Sequence, residues 1–195
     1  FLVNRVLMPY LLEAMVLVEE GVPVTAIDRA AEAFGMPMGP LSLADTVGLD
    51  ICLSVADILA AQCGVCVPER LRRMVEAGRL GRKRGGGFYD YKGGKPRRAR
   101  GEKGYSPPPD LAQRLMFRLF NECVACLHEG IVADEDLLDA GVVFGTGFAP
   151  FRGGPMHYLR QQGIASQAEL LGTLEQRYGE RFAANPGWQV IAGED

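Results

Sequence analysis

The chain has 195 residues, of which 48% are hydrophobic and 23% are charged, and its net charge is −3 at neutral pH. This length allows one full hydrophobic core or two small ones. The sequence contains no run of about eighteen apolar residues, so no membrane span is predicted, and the acidic balance argues against general nucleic-acid binding. The five cysteines, an odd number, favour a reducing compartment.

Positive charge is concentrated in one stretch of the chain. Thirteen of the 21 lysines and arginines lie between Arg70 and Lys103. Such a patch most often marks a solvated surface and less often a site for an anionic ligand or a phosphate group. Nucleic-acid binding through this stretch would show a steep salt dependence, and the acidic remainder of the chain disfavours it.

The first twenty residues predict a long amphipathic helix. Apolar residues recur at three- and four-residue spacing from Val3 to Val18, and Gly21 is placed to end the helix. Asn4 is the polar exception in the first turn. The amide of Asn4 is either an N-cap or a hydrogen-bonded structural group, or it is directed at an oxygen atom of a ligand.

Helical periodicity continues through the rest of the chain, and convincing strands are absent, which predicts an all-α fold. A glycine-rich segment at 81–95 carries aromatic residues and interrupts the pattern, and three consecutive prolines end the best linker candidate. We therefore predict two tandem helical domains. Their boundaries are 1–100 for the first domain, 101–109 for the linker and 110–195 for the second domain.

The second half of the sequence repeats the first at an offset of about 109 positions. Glu13 pairs with Glu122 at this offset, and the segment 34–41 parallels the segment 144–151. The position that corresponds to Asn4 is occupied by Gln113. The duplicate is thus expected to keep the scaffold and to change the site.

Two CxxC pairs, at 63–66 and 123–126, have the spacing of zinc half-sites. The second pair falls on the apolar stripe of a predicted helix, where cysteine behaves as a small hydrophobic residue, and the gap between the pairs is long for a common zinc module. We expect no metal site. The sequence also lacks a strand followed by a G-x-G-x-x-G turn, so no dinucleotide site is predicted within it.

Three segments in succession resemble the signatures of the C-terminal domain of L-3-hydroxyacyl-CoA dehydrogenases: 4–14 (NRVLMPYLLEA), 35–50 (GMPMGPLSLADTVGLD) and 81–91 (GRKRGGGFYDY). The duplicate, with FGTGF at 144–148 and RGGP at 152–155, is similar to the second such domain of multifunctional β-oxidation enzymes. The resemblance implies the helical fold that follows the Rossmann domain in 6-phosphogluconate-dehydrogenase-like enzymes.

The resemblance also implies that the active site is shared between two domains. An upstream Rossmann domain, outside this chain, would bind NAD and supply the catalytic histidine and glutamate. The helical domain would close the cleft over an acyl-CoA substrate and contribute Asn4 near the reacting oxygen. Met38, Gly39 and Pro40 could line the acyl pocket, with core packing or a turn as an equal alternative for each.

The chain starts without methionine in the middle of a helical pattern, so we expect a fragment that is inactive alone. An enoyl-CoA hydratase domain upstream and a thiolase subunit are further partners that the resemblance implies. The location would be cytoplasmic in a bacterium and otherwise the peroxisome or the mitochondrial matrix. The rival hypothesis is a non-catalytic helical assembly module, in which Asn4 would be buried and fully hydrogen-bonded.

Overall fold

The computed structural model describes residues 1–63, 65–97 and 104–193. These residues form ten α-helices, one two-stranded hairpin and three short 3-10 turns. The helices are α1 Leu2–Glu19, α2 Val24–Phe34, α3 Pro40–Val47, α4 Leu49–Cys63, α5 Glu69–Glu76, α6 Leu111–His128, α7 Glu135–Thr146, α8 Pro155–Gln162, α9 Ile164–Tyr178 and α10 Gly187–Ala192; the strands are β1 Asp90–Lys92 and β2 Lys95–Arg97; the 3-10 turns are Arg82–Arg84, Pro150–Arg152 and Glu180–Phe182.

The all-α prediction is confirmed, and the long helix expected in the first twenty residues is present as α1. The hairpin of β1 and β2 is the one departure that the described residues show. Its strands pair antiparallel across a turn at Gly93 and Gly94, both of which have positive φ angles. A Gly-Gly turn of this kind suits a two-residue hairpin, but strands of three residues are too short to show an alternating pattern.

The chain divides into two compact units, one of which combines segments from both ends of the sequence. Unit one comprises Phe1–Pro9 and Met116–Asp195, and unit two comprises Tyr10–Leu115. The division therefore falls inside helices α1 and α6. The boundaries predicted from the sequence stay a prediction, and residues 101–103 of the predicted linker lie outside the described residues.

Unit two has a buried ion cluster beside its apolar core. The guanidinium group of Arg114 donates two hydrogen bonds to Glu13, at 2.9 and 2.5 Å, and two to Glu20, at 2.6 and 2.9 Å. The side chains of Arg114 and Glu13 are only 2% and 1% exposed, whereas that of Glu20 is 40% exposed. Burial opposes the charged form of Arg114, but the hydrogen bonds and charges of the two glutamates outweigh it and raise the pKa.

Unit one is built around an aromatic cluster on α6. The ring of Phe117 stacks on Trp188 and meets Phe120 edge-on, contacts that add to the area these rings bury. Asn121 accepts a hydrogen bond from the Trp188 indole at 2.9 Å and donates one to the carbonyl of Ala183 at 2.8 Å. This amide therefore ties the C-terminal segment to α6.

None of the helices in the described part of the chain is both long enough and apolar enough to cross a membrane.

Candidate functional site

Asn4 lies in the first turn of α1 and is exposed to solvent. The helix begins at Leu2, so Asn4 is inside it and the N-cap interpretation is wrong. Within the residues that the structure describes, the amide of Asn4 has no hydrogen-bond partner. It is therefore not a buried structural amide, and its role as a site residue stays a prediction.

Two glycines of α7 allow a close approach to the first turn of α1 within unit one. A Cβ atom on Gly145 would lie 2.3 Å from the side chain of Val3, and one on Gly141 would lie 2.9 Å from that of Leu2. Both distances are below van der Waals contact. At Gly145 the short side chain of Val3 excludes a larger residue, whereas at Gly141 only the flexible end of Leu2 would have to move. The FGTGF motif of the duplicated half thus serves, through its first glycine, to seat the turn that carries Asn4.

Arg5 fixes the same turn from another side. Its Nε donates to Glu122 at 2.8 Å, and its two terminal nitrogens donate to the two carboxylate oxygens of Glu129 at 2.9 and 2.8 Å. The hydrogen bonds from Arg5 hold the pKa of Glu129 below its usual value. Bidentate pairing of this kind fixes direction as well as distance, so it limits the rotation of α1 at the position next to Asn4.

The Arg5 cluster and the Arg114 cluster have the same composition at the repeat offset. The offset that pairs Glu13 with Glu122 also pairs Arg5 with Arg114. In each cluster one arginine bonds two glutamates, and each cluster lies inside a single compact unit. Sequence reasoning found the repeat but missed these ion clusters, although the offset itself contained the signal.

Met38, Gly39 and Pro40 lie in unit two at the start of α3. Gly39 is the residue before the helix and Pro40 is its first residue, and both are buried, whereas Met38 is 37% exposed. A Cβ on Gly39 would lie 2.1 Å from the side chain of Asp28. Gly39 and Pro40 therefore have a clear role in starting the helix, and a role of the three residues in an acyl pocket stays a prediction.

Asp28 caps α3 from the preceding helix. Its carboxylate accepts hydrogen bonds from the backbone N–H groups of Leu41 and Ser42, at 2.8 and 3.1 Å, and from the hydroxyl groups of Ser42 and Tyr89, at 2.7 and 2.8 Å. Burial raises the pKa of Asp28 despite these bonds. The cap is provided by a residue distant in sequence, so the local helix-start signals could not predict it.

Asp45 holds the glycine-rich segment in place. It accepts hydrogen bonds from the backbone N–H groups of Phe88 and Tyr89, both at 2.9 Å, and from the hydroxyl of Tyr91 at 3.0 Å. A Cβ on Gly87 would lie 2.0 Å from the Asp45 carboxylate, so glycine is required there. Two signatures recognised separately in the sequence are therefore parts of one buried polar network.

The duplicated half repeats the capping aspartate. Asp139 accepts hydrogen bonds from the backbone N–H groups of Met156 and His157, at 2.7 and 2.9 Å. Both residues lie in the first turn of α8, which begins at Pro155, and a Cβ on Gly154, the residue before the helix, would lie 2.3 Å from Asp139. Burial raises the pKa of this carboxyl as well.

The position of this second cap changes one pairing of residues between the two halves of the sequence. The parallel between segments 34–41 and 144–151 pairs Pro40 with Pro150, but Pro150 begins a three-residue 3-10 turn. Pro155 is the first residue of an α-helix whose first turn is capped by a buried aspartate, Asp139, just as Pro40 begins the helix that Asp28 caps. The duplicate therefore contains a short insertion before this helix, and the pairing with Pro150 is wrong.

The second CxxC pair is part of the core. Cys123 and Cys126 are fully buried, and burial raises the pKa of the Cys123 thiol well above its usual value, so the pair packs as small apolar side chains. Cys66 is exposed, and the side chain of Cys63 lies outside the described residues. The part of the chain that the structure describes contains no group of three metal-ligating side chains.

Comparisons with known proteins agree with this picture. The family model described as the C-terminal domain of 3-hydroxyacyl-CoA dehydrogenase matches residues 1–91. The fatty acid oxidation complex subunit alpha of Vibrio vulnificus (strain CMCP6) is 37% identical over 204 residues, which cover 100% of this chain and 29% of that protein. The subunit from Shewanella halifaxensis is 38% identical over 93% of this chain and 27% of its own length. The chain thus spans less than a third of these curated relatives.

Two solved structures share the fold. The 3-hydroxybutyryl-CoA dehydrogenase from Escherichia coli K12 matches with a TM-score of 0.83 over 100% of this chain and 60% of its own. The dehydrogenase part of multifunctional enzyme 1 from C. elegans matches with a TM-score of 0.73 over 97% of this chain and 47% of its own. Each is 22% identical to the chain, so the likeness shows the fold alone. Residues 1–91 therefore match the family model of 3-hydroxyacyl-CoA dehydrogenase C-terminal domains, and the whole chain is similar to part of the α subunits of fatty acid oxidation complexes.

Proposed function

We propose that this chain is the C-terminal part of an NAD-dependent L-3-hydroxyacyl-CoA dehydrogenase of fatty acid β-oxidation. The observation that carries the proposal is Asn4, an exposed amide without a protein partner in the described structure, on a turn fixed by Arg5 and by close contact with α7. A polar group held so firmly, yet left open to solvent, is arranged for a ligand and not for packing. The family match of residues 1–91 supports the same function.

The described residues do not fit NAD. A dinucleotide site needs a parallel sheet with a glycine-rich turn leading from a strand into a helix. The only strands that the structure describes form a short antiparallel hairpin, and the glycines at 145 and 147 end α7 without a preceding strand. We therefore assign none of the described residues to NAD and propose that the cofactor, together with the catalytic histidine and glutamate, belongs to the upstream domain.

The part of Asn4 in the reaction follows from its chemistry. An amide N–H can donate a hydrogen bond to the 3-hydroxyl oxygen of the substrate and, after oxidation, to the 3-keto oxygen. An amide does not titrate near neutral pH, so it does not compete with the catalytic base for the proton. Its contribution is to hold the reacting oxygen in one position, which lowers the entropy cost of reaching the transition state.

The proposal predicts that dehydrogenase activity requires the upstream domain. The 195-residue chain, supplied with NAD and 3-hydroxybutyryl-CoA, should form no NADH, and a longer chain that includes the upstream domain should form it at an ordinary enzymatic rate. NADH formation by the 195-residue chain alone would contradict the proposed division. We extend the proposal to a cytoplasmic location, because the fatty acid oxidation complex subunits that the chain resembles are bacterial, and to a hydratase domain and a thiolase subunit as partners.

The alternative function, a purely structural assembly module, has one observation in its favour. Phe144 and Phe151, both in unit one, are 89% and 77% exposed, and isolated apolar side chains of this size often contact a partner. An assembly module would use these residues and would not need Asn4. Replacing both phenylalanines by serine should then abolish assembly without any change in the catalytic rate, whereas the enzyme proposal makes the rate depend on Asn4.

A further inference from the structure

Phe144 is the most exposed of the large apolar side chains that the structure describes. It lies near the end of α7, and 89% of its surface is open to solvent. Gly145, the next residue, is also exposed and has no side chain to cover the ring. The ring therefore adds little to the core of unit one, and it is open to contact with another apolar group.

Phe144 and Asn4 lie on the same side of the contact between α7 and α1. Their chain neighbours Gly145 and Val3 pack against each other, since a Cβ on Gly145 would lie 2.3 Å from the Val3 side chain. The fully buried residues of the two segments mark the core side of this contact: Val6, Leu138 and Val142. Because Asn4 and Phe144 are both exposed, they lie on the opposite, solvent side.

The surface between Asn4 and Phe144 is apolar. Leu7 neighbours both Val3 and Asn4 on α1, because side chains three and four positions apart lie on one face of a helix. Val3 and Leu7 are half-buried, so part of each side chain remains accessible. Together with the end of α7 they form a continuous surface, which we call the apolar strip: Val3, Leu7, Phe144 and Gly145.

The two segments that form the apolar strip, residues 1–7 and 140–151, contain a single charged side chain. It is that of Arg5, which is only 8% exposed and donates hydrogen bonds to Glu122 and Glu129. The segment 140–151 contains no lysine, arginine, aspartate or glutamate. The strip is therefore suited to an uncharged apolar group and not to an ionic one.

The chemistry of the proposed substrate matches this position. In a 3-hydroxyacyl group the alkyl tail starts at the carbon atom next to the one that carries the reacting oxygen. When Asn4 donates a hydrogen bond to that oxygen, the tail therefore starts beside Asn4. An alkyl tail gains free energy for every methylene group that leaves water for an apolar surface, so the strip favours longer tails.

We infer that the apolar strip binds the alkyl tail of the substrate and that Phe144, at its outer end, raises the preference of the enzyme for longer tails. The inference rests on the proposed function and deepens it, because it names a residue that sets chain-length specificity. The resemblance to known dehydrogenases places the acyl pocket at residues 38–40, in unit two. The apolar strip lies in unit one, and its largest side chain comes from the duplicated half.

The test uses the longer dehydrogenase and compares kcat/KM for two substrates. The tail of 3-hydroxybutyryl-CoA is a single methyl group, whereas 3-hydroxydecanoyl-CoA has a long alkyl tail. Phe144→Ala should lower kcat/KM about ten-fold for the decanoyl substrate and less than about two-fold for the butyryl substrate. Phe144→Leu keeps an apolar side chain, so it should lower kcat/KM for the decanoyl substrate by about three-fold or less.

The matched control is Phe151→Ala. Phe151 is 77% exposed, lies outside the apolar strip and contacts the guanidinium group of Arg152, so its removal should change neither value of kcat/KM by more than about two-fold. The inference is overturned by unchanged values in Phe144→Ala, by an equal fall for both substrates, by an equal loss in the control, or by a loss in Phe144→Leu as large as that in Phe144→Ala.

The same measurements separate this inference from the proposed function. A parent enzyme that oxidises both substrates, together with an unchanged Phe144→Ala variant, overturns the inference and leaves the proposed function intact. A parent enzyme that forms no NADH with either substrate overturns both.

Discussion

The buried cluster of Arg114, Glu13 and Glu20 makes the sharpest prediction about stability. In the variant Arg114→Met the carboxylate of Glu13, which is 1% exposed, loses its two hydrogen bonds from the guanidinium group, whereas Glu20 at 40% exposure is rehydrated. Breaking a buried ion pair from one side costs about 3–5 kcal/mol, because an uncompensated charge stays in the interior. We expect a loss of that size in the free energy of unfolding, measured by urea denaturation with far-ultraviolet circular dichroism.

The double variant Glu13→Gln/Arg114→Met separates the buried charge from lost packing. It removes the charge of Glu13 as well, so it should recover at least half of the lost stability. Arg5→Met is the matched control, since its partners Glu122 and Glu129 are 15% and 39% exposed and water can reach them. We expect it to cost about 2 kcal/mol. A single variant that loses less than about 1 kcal/mol, or a double variant that is no better than the single one, would refute the reasoning.

Three further predictions concern single sites. Gly172→Ala, inside α9 with open space around its Cβ position, should raise the free energy of unfolding by about 1 kcal/mol, and a loss would show a contact that the structure lacks. Gly87→Ala should cost about 1–3 kcal/mol in the same urea assay, because its Cβ would overlap the Asp45 carboxylate; an unchanged midpoint would contradict this. The pKa of Asp28, measured by carbon-13 NMR, should lie above the ordinary value, because burial disfavours its charged form. The folded state then binds this proton more tightly than the unfolded chain, so stability falls as the pH rises from the ordinary pKa through the raised one, and a pKa at or below the ordinary value would count against the burial argument.

Features that depend on neighbours in the chain could be predicted from the sequence. The apolar spacing from Val3 to Val18 and the stop at Gly21 define α1 because helix periodicity and C-terminal glycines are local signals. The position of Pro40 at the first residue of α3 is local in the same sense, since proline fits the first turn of a helix. The hairpin at Gly93 is also local, but its strands are too short for the pattern to be recognised.

Features that depend on distant partners could not be predicted. Asp28 accepts a hydrogen bond from Tyr89, 61 positions away, and Arg5 pairs with Glu129, 124 positions away. Nothing in the local sequence of either acid distinguishes it from a solvated surface charge. For Arg5 the duplication supplied a usable signal, because an arginine and two glutamates recur at one offset, and a search for repeated charges would have found it.

Asn4 is a residue whose role neither the sequence nor the structure of this chain fully defines. The sequence identified it as a polar misfit on an apolar helix, with two interpretations open. The structure removes the N-cap interpretation and shows an exposed amide on a firmly held turn. Its role in catalysis remains a prediction, since the groups that would surround it belong to the proposed upstream domain.

The most direct test of the account is the catalytic rate of the longer dehydrogenase with Asn4→Ala. Removing one hydrogen bond to a reacting oxygen should lower kcat about 10- to 100-fold. KM should change little, because the rest of the substrate keeps its contacts. The control is Gln113→Ala, which truncates the exposed amide at the corresponding position of the duplicate and should leave kcat unchanged. A reduction confined to Asn4→Ala is the result we predict, and a kcat within two-fold of the parent enzyme would contradict the account and return Asn4 to the surface of a structural helix.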